Sequence, residues 1–220
     1  MDKWESWNIR GHTLEYDDES HTYLCDGLIV PSVTEIIREH LGSKYDGVPA
    51  DVLAEAARKG TLLHEVIESA ENSACAETYE LSSDEAEMSD EFASYLRLKK
   101  EYGITCEGNE MPLLICHKGR IVAAGRMDML AFNRDGELGI IDFKRTYELD
   151  DEYLAFQLTL YGMGVKYSYN IDPKFYACMW LRGKRGKFVP YDPIEKQVEE
   201  MLDGFLVRDA ELVENIPYDN

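Results

Sequence analysis

Residues 125–161 read GRMDMLAFNRDGELGIIDFKRTYELDDEYLAFQLTLY. Two strand-like runs, 120–132 and 137–144, flank a turn, and a helical pattern follows over 150–169. Taking 134–136 as a three-residue loop puts Gly136 in the left-handed position that such loops favour. Residue 133 then pairs with 137, Asp128 falls opposite Asp142, and Arg126 falls opposite Lys144. Side chains alternate along a strand. Asp128, Asp142 and Lys144 therefore share one face, while Met127, Met129, Ala131, Ile141 and Phe143 collect on the other, the expected core face. A loop one residue longer or shorter would reverse this. Two carboxylates opposed across strands repel, and a divalent cation between them removes the conflict. Mg²⁺ takes hard oxygen ligands and keeps waters. Lys144 would lie near those waters, placed to orient or deprotonate one, or to balance developing charge. Taken alone, D-x-K is weak: it recurs at Asp172-Pro173-Lys174, and a surface ion pair gives the same letters.

Working toward the N-terminus, 104–110 and 111–117 are strand candidates with Pro112 at a break, and Lys118-Gly119 makes a tight turn. A helix is expected from about 83 to 102, ended by Gly103. Another is expected over 61–72, with Thr61 as N-cap after Gly60 interrupts an earlier helical run, 51–59. On that helix His64 and Glu68 stand one turn apart and share a side. Residues 43–49 read as a loop. Ser32 and Glu35 form a capping box for a helix to Leu41, ended by Gly42. Before it, 13–16, 21–25 and 28–30 read as short strands, the last two joined by Asp26-Gly27. Toward the C-terminus, 175–181 and 187–190 form a hairpin around Gly183–Gly186. A last helix is expected from about Pro193 to Val213.

With 220 residues and a hydrophobic fraction of 45%, the chain is long and apolar enough for one globular domain. No apolar run is long enough to cross a bilayer. The first fifteen residues carry no secretory pattern. Five scattered cysteines show neither C-x-x-C nor zinc or iron–sulfur spacing, so reduced thiols in a cytoplasmic protein are expected. The formal charge of −20 argues against a simple phosphate-neutralising binder. The acid is uneven, concentrated at 15–19, 84–91 and 148–152. Residues 174–191 contain Lys174, Arg182, Lys184, Arg185 and Lys187 and no acid. That run reads either as a solvated hairpin tip or as a local basic face.

The ordered set GTLLHEVIE (60–68), GRMD (125–128), IIDFK (140–144) and QLTLY (157–161) resembles the PD-(D/E)XK nuclease superfamily, most closely its RecB-like branch with its phage exonucleases. The segment HTYLCDGLIVPSVTEII (21–37) is similar to what precedes the core in phage members. The resemblance implies an α/β, restriction-endonuclease-like core, a mixed central β-sheet flanked by helices. It implies a single nuclease domain over 1–220: an N-terminal hairpin and helices (1–59), the core (60–191) and a C-terminal helix (192–220). It also implies roles. Asp128, Asp142, His64 and the backbone carbonyl of Phe143 would be metal ligands, with Glu68 a further one. Lys144 would be the catalytic lysine, and Gln157 and Tyr161 would contact the DNA backbone or brace the site. Arg126, from the pairing above, is a candidate phosphate contact. Arg182, Lys184, Arg185 and Lys187 would line the path of the DNA.

The expected activity is Mg²⁺- or Mn²⁺-dependent hydrolysis of DNA phosphodiesters, as an exonuclease of phage recombination or replication in the host cytoplasm. It would be free-standing or joined to a recombination or replication partner protein, with no membrane association. No iron–sulfur cluster is expected. Two other readings compete. One is a catalytically silent nuclease fold that binds DNA or protein. The other is an acidic DNA mimic that inhibits a DNA-binding enzyme, supported by the charge alone.

Overall fold

The computed structural model describes residues 4–42 and 47–214, with side chains to 206. The predicted loop over 43–49 therefore lies partly outside the described residues, as do 1–3 and 215–220 of the expected domain.

The chain builds two sheets. The first is a meander of β1 (Trp4–Ile9), β2 (His12–Asp17), β3 (Thr22–Cys25) and β4 (Leu28–Val30), all antiparallel. Asp26 and Gly27, at φ 52° and 78°, close the β3–β4 hairpin as the sequence suggests. The strand β1 was not expected. Arg10 and Gly11 turn it into β2 with φ of 53° and 88°, and Arg-Gly is a weak turn signal beside Asp-Gly.

Helix α1 (Val33–Leu41) starts at the predicted capping box. The Glu35 N–H donates to Ser32 Oγ at 3.1 Å and the Ser32 N–H to Glu35 Oε2 at 2.7 Å. Helix α2 (Ala50–Glu71) runs unbroken through Gly60, correcting the expected division into 51–59 and 61–72. An interior glycine costs a helix only about 1 kcal/mol, and buried Leu63, Val66, Ile67 and Ala70 hold this one in place. Helix α3 (Ser89–Tyr102) starts later than expected, after a 3₁₀ turn at Ala86–Met88.

The second sheet has the order β5-β6-β7-β8-β9. Its strands are β5 (Thr105–His117), β6 (Arg120–Phe132), β7 (Leu138–Lys144), β8 (Tyr176–Arg182) and β9 (Arg185–Tyr191). Pro112 does not break β5. It pairs with Arg126 inside a continuous strand, which an edge strand permits because the missing N–H costs no ladder bond on its open side. The β6–β7 loop is the predicted one: Gly136 has φ 77°, and the Asn133 N–H donates to Glu137 O at 2.9 Å. The register also follows, through Phe132↔Leu138, Ala131↔Gly139, Leu130↔Ile140 and Met129↔Ile141. The ladder stops there, one pair short of the two aspartates.

β7 and β8 run parallel, joined by the crossover helix α4 (Asp151–Tyr169). Gly139 makes room for the return: a Cβ there would lie 2.3 Å from Phe175 Cδ1 and 2.4 Å from its carbonyl oxygen. Helices α1 and α4 and the last helix α5 (Glu195–Glu214) cover one face, with Leu113, Met127, Leu130, Ile140, Leu158 and Leu202 in that core. Helices α2 and α3 cover the other, over Met129, Ala131, Ile141, Phe143 and Met179. Both faces are thus core. The sequence reading gave one face to the polar residues, and it placed Met127 with Met129 where the structure separates them. The first sheet packs through Leu14, Tyr16 and Tyr23 against Leu114 and Ala124.

Candidate metal centre

At the end of the β6–β7 ladder the strands part, and side chains replace backbone pairing. Asp128, 7% exposed, accepts the Phe143 N–H through Oδ2 at 2.6 Å. Its Oδ1 lies 3.6 Å from His64 Nδ1. Asp142 is fully buried and paired with Lys144, whose Nζ donates to Oδ1 at 2.8 Å and lies 2.7 Å from Oδ2. Oδ2 nonetheless makes no hydrogen bond of acceptable geometry. His64 comes in from α2. Its Nε2 is 3.3 Å from the Phe143 carbonyl oxygen and its Nδ1 3.4 Å from Glu110 Oε1.

Glu110 was not anticipated. A two-residue turn at Lys118-Gly119, carried down a regular ladder, would set Asn109 opposite Asp128. One bulge between Ile115 and Cys116, where Val122 of β6 is the extra residue, shifts the register by one, so Asn109 pairs with Met129, Met111 with Met127, and Glu110 faces Asp128 between them; a second irregularity beyond Glu110, between Cys106 and Gly108, restores the register. Its backbone is left-handed, φ 45°, uncommon for a non-glycine residue inside a strand. His64, Glu110 and Asp128 each offer a ligand atom within 4.8 Å of the others. Glu68 stands outside that group, half-buried, close enough for the Glu110 charge to raise its pKa further after burial has done so.

The charges fit a site that expects a cation. Burial pushes both Asp128 and Asp142 up from the usual carboxylate range, with His64 and Lys144 pulling the other way. Burial would lower the pKa of His64, but Asp128 and Glu110 outweigh it and hold it at about 9. Burial acts likewise on Lys144, and Asp142 and Asp128 reverse it, raising the ammonium's pKa. An imidazolium and an ammonium thus neutralise the acids. Two carboxylates and an imidazole converge, with the Phe143 carbonyl oxygen beside the imidazole, and such a donor set suits a divalent ion.

The other anticipated residues divide. Gln157 and Tyr161 are buried on α4, and Gln157 Nε2 donates to Tyr161 Oη at 3.0 Å. Burial raises the Tyr161 phenol well above its usual range, and the Asp128 and Asp142 charges add to this. Gly125 is what lets it in: a Cβ there would sit 3.3 Å from Tyr161 Cε1 and 3.1 Å from Val33 Cγ2. Arg126 does not face Lys144. Its Nε is 3.1 Å from Glu110 Oε2, its Nη1 3.1 Å from Glu5 Oε2, and its guanidinium lies 5.3 Å over the Tyr16 ring. It links the first sheet to the centre.

The basic hairpin is at the right end of the sheet. Lys144 pairs with Trp180, so Arg182 lies about 7 Å farther along the neighbouring strand. Arg182 covers the Tyr147 ring at 4.6 Å and Lys187 the Trp180 ring at 5.7 Å. Lys184 and Arg185 are exposed.

The family comparison agrees with this architecture. The family model of the PD-(D/E)XK nuclease superfamily matches residues 38–201, and the chain belongs to that superfamily. Its five-stranded mixed sheet flanked by helices is the restriction-endonuclease-like fold, and the superfamily's nucleases use divalent metals. No curated protein matches the chain. Among solved structures, SSO0001 is similar at 17% identity over 81% of this chain and 75% of that one, with a TM-score of 0.43. Among the described residues no helix is long and apolar enough to cross a membrane.

Proposed function

We propose that this protein is a divalent-metal-dependent deoxyribonuclease. The observation that carries the reading is the convergence of His64, Glu110 and Asp128, each with a ligand atom within 4.8 Å of the others, next to the fully buried Asp142–Lys144 pair. Asp128, Asp142, Glu110, His64 and the Phe143 carbonyl would hold the ion, with Glu68 in reserve behind Glu110. When bound, such a cation supplies Lewis acidity toward the scissile phosphate and a nucleophile at neutral pH.

The chain's own residues do the rest. Lys144, its pKa raised by two carboxylates, stays an ammonium. It serves as a donor to a non-bridging phosphate oxygen and a counter-charge, rather than as a base. Tyr161, kept protonated by burial, and Gln157 brace the acids from α4. Arg182, Lys184, Arg185 and Lys187 offer a positive rim to a negative chain, which a protein of charge −20 needs locally.

His64, reaching the centre from α2, supports placement in the RecB-like branch. An exonuclease of phage recombination or replication, one nuclease domain long and able to join a partner protein, is the version we favour. An imidazole ligand also suits Mn²⁺ better than it suits Mg²⁺. The test is digestion of end-labelled linear, circular and single-stranded DNA with Mg²⁺, Mn²⁺ or EDTA. Cleavage is expected with metal and absent in EDTA, in Asp142→Asn and in Lys144→Ala. Full activity in any of those three would overturn the reading. Metal binding without cleavage would establish the silent-fold alternative. Neither binding nor cleavage would favour the DNA mimic.

A further inference from the structure

Among the large apolar side chains left exposed in the described residues, Tyr147 is the most exposed, at 80%. It follows Lys144 by three positions, so the two lie within about 10 Å along the chain. One exposed ring alone calls for no explanation. This one belongs to a pattern set by register. Residues paired in a sheet project to the same face, and side chains alternate along each strand. Lys144 pairs with Trp180, Trp180 with Lys187, and Arg182 with Arg185. All of them therefore project from one face, in a strip that leads from Lys144 to the tip of the β8–β9 hairpin.

Tyr147 is fixed to this strip. The Arg182 guanidinium lies over its ring at 4.6 Å. The Trp180 Nε1–H donates to the Thr146 carbonyl at 2.9 Å, which holds the backbone just before the ring. Arg145 donates through Nε to buried Glu91 at 2.9 Å. The hairpin is fixed as well: Ser94 Oγ donates to the Gly183 carbonyl and Arg97 Nη2 to the Gly186 carbonyl, both at 3.0 Å. The ring joins none of the apolar clusters, so it is held in place without being buried. Of the acids that follow it, Glu148 and Asp150 line the cleft beside α1, and Asp151 accepts the Tyr191 hydroxyl at 2.7 Å. Residues 174–191 carry no acid.

An immobile aromatic ring in solvent, beside cations that share a face with Lys144, suits a flat group joined to negative charge. A single nucleic-acid strand matches both features at once, with bases on aromatic rings and phosphates on cations. We propose that Tyr147 is a stacking platform for an unpaired base of the substrate strand, near the scissile phosphate, with Arg182, Arg185 and Lys187 on the flanking phosphates. The inference rests on the nuclease reading above and deepens it. Inside a duplex both faces of a base are covered by its stacked neighbours, so the platform selects a single strand or a frayed end.

The test uses the full-length protein with Mn²⁺ and three end-labelled substrates: single-stranded oligothymidine, a strand of abasic sites of equal length, and a blunt duplex. Rates are compared at substrate concentrations well below saturation. Tyr147→Ala should slow cleavage of oligothymidine about fivefold to a hundredfold and leave the abasic strand's rate unchanged. Tyr147→Phe, which keeps the ring, should behave as wild type on both. If Tyr147→Ala cleaves oligothymidine as fast as wild type, the platform is refuted while the nuclease reading stands. If it slows both strands alike, the ring acts through Arg182 or the fold and stacking is refuted. If the wild type cleaves the duplex but neither single strand, the strand preference is overturned and the nuclease reading stands. If it cleaves none of the three, the nuclease reading itself fails and the inference goes with it.

Discussion

Asp128 and Phe143 are bound side chain to backbone: where the β6–β7 ladder ends, the Asp128 carboxylate takes the Phe143 N–H at 2.6 Å. The same residue pair thus holds two potential metal donors, a carboxylate and the Phe143 carbonyl, in fixed relation. Asp128→Asn keeps an acceptor for that N–H, whereas Asp128→Ala leaves it buried and unpaired at a cost of about 1–3 kcal/mol. Both substitutions should abolish cleavage. Urea titration should show only the alanine variant clearly destabilised at pH 8. Equal stability of the two would show that the bond contributes nothing.

Arg126 divides its guanidinium between Glu110 and Glu5, so its role is to position Glu110. Removing it should weaken Mn²⁺ binding, and calorimetry should find a similar loss in Glu110→Gln. Arg126→Ala should also lower stability by about 1–3 kcal/mol, the cost of an unpaired half-buried charge. The salt dependence of DNA affinity separates this from the phosphate contact expected from sequence. A lost phosphate contact lowers the slope by about 1; a positioning role leaves it unchanged.

The metal-free centre should lose stability as pH rises. Burial lifts Asp142 to about 6 from 3.8, so stability present below the unfolded value is lost as pH rises through 6. His64, held at about 9, contributes stability that is complete below 6.5 and lost as pH rises through 9. The signs agree, so in EDTA the melting temperature should fall between pH 5 and 9. The increment produced by Mn²⁺ should grow over the same interval. Because a ligating imidazole must be neutral, Mn²⁺ binding near pH 7.5 should release a proton, seen as a calorimetric enthalpy that varies with buffer ionisation. His64→Gln should remove that variation.

Gly139→Ala tests the crossover rather than the chemistry. Its methyl would meet the Phe175 ring and carbonyl at less than 2.5 Å, and the backbone cannot yield without moving β8 from β7. Overpacking of this kind costs about 1–3 kcal/mol. Gly60→Ala, with open space around the new methyl, should instead stabilise by up to about 1 kcal/mol.

What could be read from the sequence was what local chemistry decides. The Asn133–Glu137 turn, the capping box at Ser32 and the crossover helix each depend on a few neighbouring residues. The register that brings Asp128 and Asp142 together follows from one loop length. What escaped depends on the far side of the sheet. Glu110 reaches the centre only because one bulge at Val122 slips the β5–β6 pairing by one residue, and nothing in 117–123 announces a bulge. Gly60 and Pro112 were read as breaks because propensity was weighed without the packing that overrides it.

His64 meets the Phe143 carbonyl across 79 positions of chain, and Glu110 across 46. Asp142 and Lys144 sit on a strand whose parallel partner is made only after α4. Contacts so distant in sequence cost loop-closure entropy before they are rewarded. The centre is therefore a property of the assembled sheet, and a fragment that ends before Lys144 lacks part of it. On the proposed nuclease reading, the topology itself delays activity: the acids meet only after β5, β6 and β7 have all been made and have paired.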